Sequence, residues 1–160
     1  MEYPESAIRR LDDLIAREPE NPELYVQRGL VWQDAHQFDR AMADFDRALE
    51  LDSFCVSALA ARARQLYNLR DFDGAIADCT RALMVEPSDV AILCTRAASY
   101  LQKGEHERAL EGFDRVLQLS PGQRGALQWR GIAKEALGDV PGAEKDFAMS
   151  KALKPPLEPE

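Results

Sequence analysis

The fold is indicated most clearly by residues 22–55, PELYVQRGLVWQDAHQFDRAMADFDRALELDSFC, because the small and aromatic residues of this segment recur along the chain. The clearest recurrence is a series of alanines spaced 34 residues apart: Ala7, Ala41, Ala75, Ala109 and Ala143. A period of this length is typical of one supersecondary unit copied in tandem, each copy burying its apolar face against its neighbours. The sequence therefore predicts a repeat array.

Other residues keep the same spacing. Four arginines recur, each followed by glycine or alanine: Arg28, Arg62, Arg96 and Arg130. A glycine inside a helix costs up to about 1 kcal/mol in helix propensity, so the recurring small residue implies close approach of another helix. Bulky and small apolar residues follow the alanines at helical spacing: Phe45, Phe113, Phe147, Ala48, Ala82 and Val116. Prolines mark the boundaries of units: Pro19, Pro87, Pro121 and Pro155.

This pattern resembles the tetratricopeptide repeat, a helix-turn-helix unit of the same length. The signature places of the clearest copy are held by Tyr25, Gly29, Trp32, Ala41, Phe45 and Ala48. The resemblance covers nearly the whole chain and implies an all-α fold, a right-handed α-α superhelix of antiparallel helix pairs with about nine helices. The 35-residue helical repeat that reads RNA does not keep this register.

We expect one array over 1–160, with a half repeat at 4–21, full repeats at 22–55, 56–89, 90–123 and 124–157, and a disordered or loosely attached tail at 154–160. Helices are predicted near 4–18, 22–35, 38–51, 56–69, 72–85, 90–103, 106–119, 124–137 and 140–153.

Composition limits the partners. Apolar residues make up 46% and charged residues 30% of the chain, which is globular composition, and no apolar run is long enough to cross a bilayer. The formal net charge of -8 repels nucleic acid and anionic membranes, so we predict neither as a partner. The three cysteines form no C-x-x-C pair, which favours a reducing, cytoplasmic compartment.

Candidate catalytic and metal-binding residues are few. His36 and His106 fall at turns about 70 residues apart, so no nucleophile and base can be paired. No cysteine and histidine cluster suggests a metal site, and no glycine-rich loop suggests a phosphate site. Cys79 takes a place that phenylalanine holds in other copies, which indicates a small buried side chain. We predict no enzyme, catalytic residue, metal or cofactor.

The arginine register has two interpretations, a phosphate or carboxylate reader or an internal ladder. Three copies carry an acid sixteen residues after the arginine: Asp44, Asp78 and Asp146. These acids fall on the helix that packs back against the arginine, so we favour the ladder. The third copy has Gly112 there, and Arg96 needs another partner.

The resemblance implies that a partner's extended or helical peptide docks in a concave groove lined by the first helix of each unit. The family's carboxylate clamp, which holds acidic chaperone tails, is missing, because its lysine, arginine and asparagine places hold Val26, Leu30, Ala61, Ala91 and Thr95. The predicted lining is mainly apolar: Val26, Gln27, Leu30, Ala60, Ala61, Arg64, Tyr67, Asn68, Cys94, Thr95, Ala98, Trp129 and Ile132. We choose Arg64, Tyr67 and Trp129 as first contacts. The alternative is that these small and apolar residues only let neighbouring helices pack.

The two ends of the array differ. The last second helix carries Glu144 and Lys151 where other copies are apolar, which is how a repeat array ends. The first helix leaves Ala7, Leu11 and Leu14 without cover, so an upstream segment was removed, this helix caps the array, or another chain covers it. We therefore predict a non-catalytic scaffold that binds a partner peptide or helix in its groove. The alternatives are a structural module that self-associates through its first helix, as in a homodimer, and an accessory domain of a larger protein.

Overall fold

A computed structural model of the chain describes residues 4–153. The backbone in this range forms nine α-helices and no strand. They are α1 (Pro4–Arg17), α2 (Pro22–Asp34), α3 (Phe38–Leu51), α4 (Val56–Asn68), α5 (Phe72–Val85), α6 (Val90–Gln102), α7 (His106–Leu119), α8 (Arg124–Ala136) and α9 (Val140–Ala152). The all-α class and the helix count are confirmed, and the prediction for the tail at 154–160 lies outside the described residues.

Every predicted helix boundary agrees with the structure to within one residue, because the ends carry local signals. The side chains of Asn21, Asp71, Asp89 and Asp139 accept hydrogen bonds from backbone amides of the first helical turn. Such caps satisfy amides that have no partner inside the helix. The short turns between capped helices then fold each second helix back onto its first.

The turns inside the helix pairs share one backbone conformation. Four residues spaced 34 apart adopt positive φ angles: His36 at 58°, Arg70 at 65°, Gly104 at 78° and Gly138 at 85°. This left-handed region is readily reached by glycine and is costly for other residues. The two earlier turns therefore use side chains that disfavour the conformation they hold.

The chain divides into two compact units, Met1–Pro87 and Ser88–Glu160. In the first, α2 pairs with α3 and α4 with α5, α2 lies beside α4, and α1 packs on α2. In the second, α6 pairs with α7 and α8 with α9, and α6 lies beside α8. Each unit is thus a stack of helix pairs whose first helices are neighbours, while the single array over 1–160 stays a prediction.

Small residues allow the close packing within each pair. A Cβ atom on Gly29 would lie 2.5 Å from the ring of Phe45, and one on Gly131 would lie 2.5 Å from the ring of Phe147. Ala41, Ala75 and Ala109 are fully buried. The interpretation of the small residues as helix contacts is confirmed.

The arginine and aspartate ladder is also confirmed in three copies. Nε and Nη2 of the arginine donate to both carboxylate oxygens at 2.6 to 2.9 Å in the pairs Arg28 with Asp44, Arg62 with Asp78 and Arg130 with Asp146. The three aspartates are buried, at 5%, 4% and 0% exposed. These pairs fix how each second helix lies against its first.

Each of these arginines also has a second acid that we did not predict. Nη1 donates to a carboxylate on the preceding second helix at 2.6 to 2.8 Å, joining Arg28 to Asp12, Arg62 to Asp46 and Arg130 to Asp114. These acids lie sixteen residues before their arginines. The ladder therefore ties neighbouring helix pairs together as well as the helices of one pair.

Arg96 is the exception to the ladder. Gly112 and Thr80 stand at its two acid positions, and within residues 88–153 it forms no ion pair. A Cβ atom on Gly112 would lie 2.7 Å from the Cβ of Ala97, so α6 and α7 approach too closely there for an aspartate. Close contact replaces the ion pair in this helix pair.

Candidate protein-interaction surface

The predicted contacts of the first unit lie on its two adjacent first helices. Gln27 and Leu30 are on α2, and Arg64, Tyr67 and Asn68 are on α4. Gln27, Arg64 and Asn68 are exposed, while Leu30 and Tyr67 are half-buried. A mixed polar and apolar surface is therefore available on this pair of helices.

Two predicted contacts lie in the interior. Val26 is 2% exposed and Ala61 is 7% exposed. Ala61 belongs to a core cluster with Ala41 and Phe45, against which Leu30 packs. Val26 and Ala61 thus support the packing of α2 and α4 and offer little surface to a partner.

Arg64 is held in place by a relay of two glutamines. Its Nη2 donates to Oε1 of Gln33 at 2.6 Å, and Nε2 of Gln33 donates to Oε1 of Gln65 at 2.6 Å. Gln65 is only 2% exposed, so the relay begins in the interior and ends at an exposed cation. A restrained arginine loses less conformational freedom when it binds an acceptor.

Sequence reasoning missed Gln33 and Gln65. They are 32 residues apart, close to but outside the 34-residue register, and nothing in their residue type marks them. Only the placement of α2 beside α4 brings the two amides together. The sequence signal for such a pair is two polar residues separated by slightly less than one 34-residue period.

The predicted contacts of the second unit are mostly apolar. Thr95 and Ala98 on α6 are half-buried, and the hydroxyl of Thr95 donates to the carbonyl of Ala91 in its own helix at 3.0 Å. Trp129 and Ile132 on α8 are 36% and 41% exposed. Residues three apart share a helix face, so these two side chains form an exposed apolar patch.

The apolar patch on α1, formed by Ala7, Leu11 and Leu14, is less completely buried than the equivalent positions of later second helices. Leu11 is buried at 5% exposure, whereas Ala7 and Leu14 are only half-buried. The residues in register with them are at most 2% exposed: Ala41, Ala75, Ala109, Ala143, Ala48, Ala82, Val116 and Ser150. The described residues therefore leave part of this helix face uncovered.

At the other end, Glu144 and Lys151 on α9 are exposed. This placement agrees with the polar outer face expected of a last repeat. Met149 on the same helix is 44% exposed.

Two nucleophilic side chains meet a carboxylate at one place, where Sγ of Cys55 donates to Oε1 of Glu23 at 3.5 Å and lies 3.2 Å from Oγ of Ser57. Cys55, Cys79 and Cys94 are separate thiols, and Cys79 is fully buried as predicted. Burial raises the pKa of the Cys55 and Cys94 thiols, which keeps them protonated. Among residues 4–153, no group of three histidine, cysteine or acidic residues is placed to hold a metal ion.

None of the described helices has the length and apolar character needed to cross a bilayer.

Among the solved structures with the same fold are several of one protein, MamA. A chain described as "MamA 41-end from Desulfovibrio magneticus RS-1" superposes with a TM-score of 0.86 at 21% identity, covering 94% of this chain and 85% of that one. A MamA RS-1 double mutant gives a TM-score of 0.87 at 21% identity, covering 94% and 84%. A further MamA crystal structure gives 0.82 at 22% identity, covering 90% and 84%. Likeness at this level of identity shows the fold alone.

No curated protein sequence matches the chain. The tetratricopeptide repeat family does, in four overlapping windows at residues 3–54, 26–92, 60–124 and 94–157. These windows span almost the whole sequence and repeat the register of the alanines and arginines. The chain is a member of the tetratricopeptide repeat family.

Proposed function

We propose that this protein is a non-catalytic interaction scaffold that binds a peptide or helix of a partner protein on the faces of its first helices. The proposal rests on one observation in each unit: the restrained, exposed Arg64 on α4 of the first unit, and the exposed aromatic Trp129 on α8 of the second. Tryptophan and arginine are enriched among residues that dominate binding energy at interfaces.

The chemistry of the two faces suggests what a partner contributes. Arg64 offers exposed guanidinium donors beside Asn68 and the half-buried Tyr67. Trp129 and Ile132 offer an exposed apolar surface. A segment with hydrogen-bond acceptors fits the face around Arg64, and a segment with a large apolar side chain fits the face around Trp129. The carboxylate clamp of the family does not fit, because Val26 is buried at its first lysine place.

An affinity capture from cell extract tests this proposal when variants are compared side by side. Wild type, Arg64→Ala, Trp129→Ala and the control Arg115→Ala are immobilised at equal density, and bound proteins are quantified by mass spectrometry. A partner that the wild type and Arg115→Ala retain equally, and that Arg64→Ala or Trp129→Ala loses, supports the proposal. Equal capture by the wild type and all three variants contradicts it.

A second candidate function is self-association through α1. It is favoured by the partial exposure of Ala7 and Leu14, whose counterparts in later second helices are buried. Sedimentation equilibrium of wild type and Leu14→Glu tests it, because a charge in an apolar contact disrupts a dimer. A wild type that is monomeric at the highest soluble concentration excludes this function.

A further inference from the structure

A pocket of about 430 Å³ opens in the first unit, where the amino end of α1 meets the turn between α2 and α3. Its apolar lining comes from Ile8, Trp32 and Ala35, and its charged lining from Glu5, Arg9 and Arg40. The pocket is separate from the predicted contacts on the first-helix faces.

The residue register explains why a pocket forms at this place. Pro4 opens α1, whereas the later second helices open with Phe38, Phe72, His106 and Val140. Trp32 has Leu66, Tyr100 and Lys134 as its counterparts. Trp32, the largest aromatic side chain of the first unit, therefore lies beside Pro4. One repeat later, the smaller Leu66 takes the place of Trp32 and the larger Phe38 takes the place of Pro4. An apolar side chain from elsewhere can supply the missing bulk.

The charges around this pocket favour an acidic ligand. The guanidinium of Arg40 lies 4.6 Å from the centroid of the Trp32 ring. Within residues 4–153, neither Arg9 nor Arg40 forms an ion pair, and both are exposed. Glu5 is the one acid among the lining residues, so the pocket is locally positive in a chain of net charge -8. Charge complementarity selects a segment whose apolar side chain is flanked by carboxylates.

We propose that this pocket binds the tail, residues 154–160, of a second copy of the chain. The tail reads KPPLEPE and combines one large apolar residue, Leu157, with two acids, Glu158 and Glu160. Leu157 takes the apolar part of the pocket beside Trp32, and the two glutamates pair with Arg9 and Arg40. Its three prolines restrict the unbound backbone, which lowers the entropy lost on binding.

We assign the contact to another copy of the chain and test this assignment by its dependence on protein concentration. Such a contact joins two different surfaces, so repeating it closes the copies into a ring or extends them into a chain of molecules. It involves neither the first-helix faces nor Ala7 and Leu14. Failure of this contact therefore leaves partner binding at the first-helix faces untouched, and Leu14→Glu, which disrupts only self-association through α1, separates the two modes of association.

Binding of a synthetic peptide to the full chain is the direct test. The sequence has two tryptophans, so Trp129→Phe leaves Trp32 as the one tryptophan reporter. Titration with the octapeptide LKPPLEPE, residues 153–160, is expected to change Trp32 emission to saturation. The double variant Arg9→Gln/Arg40→Gln and the peptide with Leu157→Ala are each expected to bind about tenfold more weakly or worse. The control Arg17→Gln/Arg115→Gln, which removes two arginines elsewhere, is expected to bind like the parent.

Self-association of the full chain completes the test. Weight-average mass is expected to rise with protein concentration, and to return to the monomer value in Leu157→Ala/Glu158→Gln and at high salt, which screens exposed charges. The proposal is overturned if the peptide leaves Trp32 emission unchanged, or if the pocket variants bind as the parent does. It is also overturned if the wild type stays monomeric, or if the peptide binds only after residues 1–3 are deleted, because the pocket's occupant would then belong to the same chain.

Discussion

Arg62 donates two hydrogen bonds to the buried carboxylate of Asp78, from Nε to Oδ2 at 2.7 Å and from Nη2 to Oδ1 at 2.8 Å. Its remaining terminal nitrogen, Nη1, donates to Asp46 at 2.6 Å. One side chain on α4 thus binds second helices on both sides of it. The planar guanidinium suits this role because its donors diverge in fixed directions, which a lysine does not reproduce.

Asp78→Asn is expected to lower the free energy of unfolding by about 2 kcal/mol, because it leaves the half-buried Arg62 without its main counter-charge. For a chain of this length such a loss lowers Tm by roughly 4 to 8 °C. Thermal unfolding followed by circular dichroism checks this. Partner binding at the first-helix faces should be unchanged in the folded variant.

The matched comparison is Arg62→Gln against Arg96→Gln. The two arginines share one register position, but Arg96 has glycine and threonine at the places of its acids. We expect Arg62→Gln to lower Tm about as much as Asp78→Asn, and Arg96→Gln to change it by less than about 2 °C. Equal effects of the two substitutions would show that the ladder does not contribute to stability.

The ladder also makes stability depend on pH. Burial opposes ionisation of Asp146, but hydrogen bonds from Arg130 and Lys134 outweigh it and hold the pKa of this carboxyl below its usual value. A group whose pKa is lower in the folded state contributes stability above its unfolded pKa of about 3.9, and loses that contribution as pH falls through the folded value. The stability difference between wild type and Asp146→Asn should therefore be constant from about pH 7 to 5 and shrink below about pH 4. Urea unfolding across this range measures it, and a difference that persists unchanged to pH 2 refutes the assignment.

Replacing glycine by alanine is expected to change stability in opposite directions at Gly29, where two helices pack closely, and at Gly125, where the surroundings are open. Gly29→Ala places a Cβ atom 2.5 Å from the ring of Phe45, and we expect it to cost about 1 to 3 kcal/mol of stability. At Gly125 the added Cβ atom meets nothing within 4 Å apart from its two neighbouring residues and the backbone of its own helix. Gly125→Ala is therefore expected to be neutral or to stabilise α8 by up to about 1 kcal/mol. Urea unfolding of the two variants distinguishes these outcomes, and a stable Gly29→Ala would contradict the packing described.

Left-handed turns offer a second pair of substitutions. His36 holds a φ of 58° and Gly138 a φ of 85° at equivalent turns. His36→Gly is expected to raise stability and Gly138→Ala to lower it, each by about 1 kcal/mol, since residues other than glycine are disfavoured in this conformation. Comparison of Tm values for the two variants checks the sign, and a loss of stability in His36→Gly would contradict it.

The sequence predicts the fold of this protein well because its constraints are local and repeated. Helix ends carry caps such as Asn21 and Asp139, and close contacts recur where Gly29 and Gly131 meet aromatic rings. Each boundary signal recurs in several copies, so a copy with a weak signal is placed by its register with the others. The predicted helix boundaries therefore agree with the structure to within one residue. The second acid of each arginine was overlooked, although its spacing of sixteen residues is as regular as that of the first.

The repeat register predicts the interaction surface less well than it predicts the fold. Register identifies which residues lie on the first helices, but the exposure of each depends on its neighbours. Val26 and Gln27 are adjacent on the predicted lining, yet one is 2% exposed and the other lies on the surface. The relay from Gln65 through Gln33 to Arg64 depends on side-chain directions across two helices, which periodicity does not specify.

Titration calorimetry with the captured partner measures whether the first-helix faces bind a partner protein. We predict that Arg64→Ala or Trp129→Ala raises the dissociation constant about tenfold or more, the effect of losing an anchor residue, while Tm stays within about 2 °C of wild type. Arg115→Ala should bind as wild type does. Unchanged affinity in both Arg64→Ala and Trp129→Ala, with both variants folded, would contradict binding at these faces.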